Sequence, residues 1–155
     1  MRRGVGGRNA VSSPEEVLSY WFPEGIDDAD PETRRRQMGR WMGGVLEVDG
    51  EITERFGETL EQARRGELDH WADTPRGRLA LIVVLDQFSR HVYRGSALSY
   101  TQDEKALQLA LEGIDSGMDR GLGAMERHFF SGSRSVTRRT PPSTSAALAT
   151  PRRKR

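Results

Sequence analysis

The chain has 155 residues and no cysteine, with 30% of its residues charged and a formal net charge of +1. That length fits one domain. The lack of cysteine excludes a disulfide framework or a thiolate site and makes a reducing cytoplasm the expected compartment. No apolar run approaches the roughly 20 residues needed to cross a bilayer, and the start, from Met1 to Arg8, lacks the apolar stretch of a signal peptide. A membrane is therefore not an expected partner.

The near-neutral total hides an asymmetry. Seven of the 24 basic residues lie in 131–155, which holds no acid, so residues 1–130 carry 17 basic against 23 acidic side chains, a net of −6. An acidic body with a basic tail argues against a nucleic-acid-binding domain, which normally presents a basic face.

Residues 1–11 hold too little apolar content to pack and read as a flexible leader. Ser13-Pro14-Glu15-Glu16 is a capping box with proline at the first helical position, and Val17, Leu18, Trp21 and Phe22 follow at helical spacing until Pro23 and Gly25 stop the helix. Asp27 to Pro31 form a turn and a second cap. Thr33 to Met42 then make a helix that is basic outside, with Met38, Trp41 and Met42 as its apolar contribution. Trp21 and Trp41 each sit on an apolar helix face and are expected as core anchors.

From about Asp49 to Gly66 an amphipathic helix carries Ile52, Phe56, Leu60 and Ala63 on one stripe. Leu68 and Trp71 are expected to fold back onto the core. Thr74-Pro75 then caps a long central helix that Gly95 ends. At about 100° per residue, Leu81, Val84, Leu85, Phe88 and Val92 share one face, and Leu79, Ile82 and Val83 the opposite one. A helix apolar all round belongs inside a core.

Its second half changes character. Asp86, Gln87, Arg90, Tyr93 and Arg94 fall within an arc of roughly 120°. Asp86 and Arg90, at i and i+4, can pair, and Gln87 adds a donor and an acceptor. Two readings remain open at this point. The cluster is a buried ion-pair network that pins neighbouring helices, or it is a ligand site in which arginines hold a carboxylate or phosphate and Asp86 orients them. His91 is expected to point away from this face and to be exposed, whereas His128 can approach it.

A further helix over about 101–117 shows a stripe of Leu107, Ala110, Leu111 and Ile114, and a last piece over 124–130 carries Met125, His128, Phe129 and Phe130. No segment alternates with period two. The chain is expected to be all-α, an array of about six antiparallel helices spanning 12–130. From Ser131 onward a Ser, Thr, Pro and Arg composition predicts a disordered tail, and its terminal Pro151-Arg152-Arg153-Lys154-Arg155 reads as solvated charge. His70, His91 and His128 lack metal-ligand spacing, and the glycine-rich leader lacks the end of a phosphate loop. No metal or cofactor is expected.

Several stretches together carry a family resemblance: Trp21-Phe22, Arg40-Trp41, Arg55-Phe56-Gly57, Gly66 with Trp71, and Pro75-Arg76-Gly77-Arg78-Leu79-Ala80-Leu81. To these add Leu85-Asp86-Gln87-Phe88-Ser89-Arg90-His91-Val92-Tyr93-Arg94-Gly95, Asp103 with Ala106-Leu107, and Glu126-Arg127-His128-Phe129. Over about residues 14–130 the chain resembles family 924 of the domains of unknown function, a bacterial and plant group. The resemblance implies an all-α, tetratricopeptide-like helical fold without an established activity, and it matches Asp86, Gln87, Arg90 and Arg94 to the family's polar motif.

Family members continue past the last helix with an apolar segment and a His- and Glu-bearing motif that this chain lacks. Its tail reads instead like a shifted frame of GC-rich DNA, so a frameshifted, truncated member is expected, and sequencing the DNA tests this. The functional expectation is a binding or scaffold module with a protein partner or a small anionic ligand. The alternative is an enzyme of unknown reaction on a small anionic substrate, inactive here because the resemblance places its candidate base in the missing segment.

Overall fold

The computed structural model describes residues 12–42 and 46–139. The expected leader over 1–11 and the stretch 140–155 of the expected tail lie outside the described residues. Among the described residues the structure is helical throughout, with no strand. The all-α expectation holds.

Helix α1, Pro14–Trp21, starts as its sequence dictates: Ser13 Oγ accepts from the Glu16 N–H and Glu16 Oε1 accepts from the Ser13 N–H at 2.7 Å. Val17, Leu18 and Trp21 point into the core. Helix α2, Pro31–Met42, begins two residues before the expected Thr33 because Pro31 fits the first turn. It buries Trp41 alone. Met38 is 45% and Met42 73% exposed, so the apolar side expected to pack is largely open.

Helix α3, Leu46–Arg64, places the expected stripe in the core with Val48 and Thr59 added. A 3-10 turn, Asp69–Asp73, then folds Leu68 and Trp71 back against it. The central helix, α4, runs over 75–92 in three segments: α-helical Pro75–Ile82, a π segment Val83–Phe88, and α-helical Ser89–Val92. Thr74 caps its start by accepting from the Gly77 N–H at 3.0 Å. Gly95, at φ 86°, stops it, a backbone conformation that a side chain disfavours. Every residue from Leu79 to Asp86 is buried, as expected of a helix enclosed by others.

Helix α5, Asp103–Asp115, follows a 3-10 turn at Ala97–Tyr100. Its stripe is a correction. The buried positions are Asp103, Ala106, Ala110 and Gly113, whereas Leu111 is 39% exposed. The apolar count pointed one way round the helix, but close approach selected the small residues: a Cβ on Gly113 would lie 2.5 Å from Phe130 Cζ.

Helix α6, Ala124–Arg139, is anchored by Phe130, which is fully buried, and Asp27 Oδ1 accepts from the Met125 N–H at 3.0 Å. It runs nine residues beyond Phe130, into the stretch expected to be disordered. Once its first turns are fixed by packing, each added residue gains a hydrogen bond without a new nucleation cost. Trp21, Phe56, Phe88 and Phe130 form the heaviest part of the core.

Candidate functional site

The polar half of α4 is where packing and projection part company. In the π segment each i→i+5 closure holds one more residue per turn than an α turn does. Everything after Phe88 is therefore rotated relative to a straight α-helical wheel, and the five candidate residues do not stay on one arc.

Asp86 and Arg90 do meet. Arg90 Nη2 lies 3.2 Å from Asp86 Oδ1, and Gln87 Nε2 donates to Asp86 Oδ2 at 3.2 Å. Arg90 is also held from outside its helix: Nη1 donates to the Ser99 carbonyl at 2.5 Å and to Asp103 Oδ1 at 2.8 Å, and its guanidinium lies 4.6 Å from the centre of the Tyr100 ring. One arginine thus ties the end of α4 to the following turn and to the start of α5. Asp86 is 1% exposed.

Arg94 goes elsewhere. Its Nε and Nη2 donate to the two carboxylate oxygens of Asp49, on α3, at 2.5 and 2.8 Å. That fork holds the Asp49 carboxyl below the usual carboxylate range and pushes the guanidinium further up. Asp49 Oδ1 also meets His91 Nδ1 at 2.7 Å. His91 is a correction: it is 2% exposed, edge-on to Trp21, not solvent-facing. Burial lowers its pKa despite the opposing pull of Asp49 and of a hydrogen bond to the Trp41 backbone.

Tyr93 leaves the cluster altogether. Its hydroxyl donates to Glu61 and accepts from Arg64 Nη1, both on α3, and burial raises its pKa.

What remains together is a concavity of about 390 Å³ between α2, the end of α4 and the start of α6. Gln87, Arg90, Arg94, Ser99 and His128 supply its polar surface, and Met38, Trp41, Met42, Tyr100 and Phe129 its ring and thioether walls. Among the described residues no three His, Asp or Glu side chains are arranged to hold a metal ion.

A family model described as a bacterial protein of unknown function (DUF924) matches residues 17–133. The chain belongs to this family. It is also similar to a solved structure, a protein of unknown function, ATU0120, from Agrobacterium tumefaciens, at 30% sequence identity and a TM-score of 0.62. The match covers 76% of this chain and 60% of that one, so this chain spans less than two thirds of its neighbour's length. No curated protein matches it.

Within this DUF924 domain, three participants escaped the sequence reading. Asp49 stands at the head of a helix with nothing local to tie it to residues more than 40 positions away. Asp103 carried a signal, since its place in the family pattern marked it, but nothing paired it with Arg90. Trp41 was placed correctly as an anchor, with its Nε1 donating to the Trp21 carbonyl at 2.8 Å, yet its ring also walls the concavity.

Proposed function

We propose that this chain is a binding module that receives a small ligand in the concavity between α2, α4 and α6. One observation supports the reading above others. Asp49 grips Arg94 by Nε and Nη2 only, so Nη1 keeps its hydrogens uncommitted among the described residues, on a side chain that lines the concavity and is 37% exposed. A guanidinium held on one edge by a carboxylate presents its other edge with little rotational freedom, the arrangement that favours binding an acceptor oxygen. Gln87 adds to this, because its amide nitrogen gives one of its two hydrogens to Asp86 and has no second protein acceptor among the described residues.

An enzyme acting on a small anion is the weaker reading. Asp86, the carboxylate best suited to acid–base work, is buried and held between Arg90 and Gln87, and a general base must come within hydrogen-bond reach of its substrate. Its role here is to position those two side chains.

Titration of isotope-labelled protein with acetate, followed by amide chemical shifts, tests the proposal. Saturable shifts confined to the end of α2, to 87–100 and to the start of α6, abolished in Arg94→Gln, are expected. Shifts that never saturate, or that persist unchanged in Arg94→Gln, would overturn it.

A further inference from the structure

The concavity does not end at His128. A second hollow of about 280 Å³ opens between α2 and α6, and it shares Met38, Trp41, His128 and Phe129 with the first. The two adjoin across these four side chains and are unlike. The first half holds Gln87 and Arg94. The second is walled by Met38, Trp41, Met125 and Phe129.

The second half has little polarity to offer. The Trp41 indole N–H is already given to the Trp21 carbonyl, and the Trp41 and Phe129 rings meet edge to face, 4.8 Å apart. At its far end Asp27 accepts from the Met125 N–H, and Arg34 donates to the Asp27 backbone carbonyl. The two methionines are unbranched and polarizable and re-pack around varied shapes. A ligand body seated here gains apolar contact and little else.

The charge of the polar half narrows the head group. Arg90 faces Asp86 and Asp103, and Arg94 faces Asp49, so each guanidinium is already paired. Two guanidiniums against three carboxylates leave no positive excess, which argues against a phosphate dianion, whereas Arg94 Nη1 and its fixed plane suit one singly charged, planar carboxylate.

Resting on the binding reading above, we infer that the ligand is an amphipathic monocarboxylate. Its carboxylate meets Arg94 beside Gln87, and its hydrocarbon or aromatic body lies between α2 and α6 against Met38, Trp41, Met125 and Phe129. Pockets of this combined kind, mostly apolar with a few placed polar groups, are the usual form of a small-molecule site.

The test uses the full chain and octanoate below its micellar range, with acetate, octanol, octylammonium and inorganic phosphate as comparators. Binding is read by calorimetry and by the saturable rise in melting temperature. Octanoate is expected to bind at least tenfold more tightly than every comparator. Arg94→Gln should erase its advantage over octanol, and Met125→Glu its advantage over acetate, with both variants first shown folded by circular dichroism.

Acetate or phosphate binding as tightly as octanoate through Arg94 would sink the two-part ligand and leave the binding module standing. Octanol matching octanoate in the unmodified chain would remove the role given to Arg94. If no compound binds, or if octanoate adsorbs without saturation in both variants, the binding module and the ligand class fail together.

Discussion

Helices α2 and α3 are neighbours in sequence and opposites in how they are held. Helix α3 commits Val48, Ile52, Phe56, Thr59, Leu60 and Ala63 to the interior, whereas α2 commits Trp41 alone. Its other side-chain ties include Arg34 to the Asp27 carbonyl and Arg40 to Glu51 at 3.1 Å, both exposed, and Arg40 to the Tyr20 hydroxyl at 3.3 Å. Exposed ion pairs contribute little, typically under about 1 kcal/mol. Helix α2 is thus the less deeply packed wall of the concavity, whose back is α4.

This contrast can be broken first in the rigid part. Phe88→Ala, at a fully buried position of α4, should lower the unfolding free energy by about 3–5 kcal/mol in urea titrations, with all helices melting together. Trp41→Ala should come out nearer about 3 kcal/mol. Its signature should be local: in hydrogen exchange, the amides of α2 lose protection while those of α3 keep theirs. Equal loss of protection in both helices would end the distinction.

Arg90→Ala tests the polar seam between α4 and α5. Removing one partner of a buried pair costs about 3–5 kcal/mol, and the partial exposure of Arg90 places the expected loss toward about 3. Asp86 and Asp103 would both lose the guanidinium they share. A loss below about 1 kcal/mol would mean that this network is dispensable.

The pH dependence divides the same regions more finely. Burial lowers the His91 pKa, so the ring is neutral in the fold, and the unfolded chain binds its proton first. The stability this group supplies is full above its unfolded pKa of about 6.5 and falls as pH drops below that point. The Asp49 carboxyl, lowered by Arg94, adds a second loss below about pH 4. In melting curves taken from pH 8 downward, His91→Gln should flatten the first decline and leave the second.

The smallest effect belongs to the exposed end of α2. Met42→Ser, at a position 73% exposed, should change stability by no more than about 0.5 kcal/mol. A larger loss would show α2 to be more firmly packed than its single buried residue allows.

Much of the fold was legible because its instructions are local. Ser13 with Glu16, Thr74 with Pro75, and Gly95 each act on backbone groups within a turn, and each does in the structure what its chemistry requires. The stripe of α3 was legible for the same reason, since a 3.6-residue period needs no knowledge of the partner. The candidate site was legible only in part. Asp86, Gln87 and Arg90 stay together because they lie within one turn of each other, while Tyr93, Arg94 and His91 were displaced by the π segment and claimed by Glu61 and Asp49 on α3.

The sequence alone thus determined that the chain is all-α, where most of its helices begin, and that its central helix passes from apolar to polar along its length. The tertiary structure decided which small residues let α5 and α6 approach, which carboxylate each arginine found, and that His91 is buried. Those outcomes depend on packing between segments far apart in the chain. A close glycine contact and a shared Asp49 have no local signature, because each exists only once a second helix is in place.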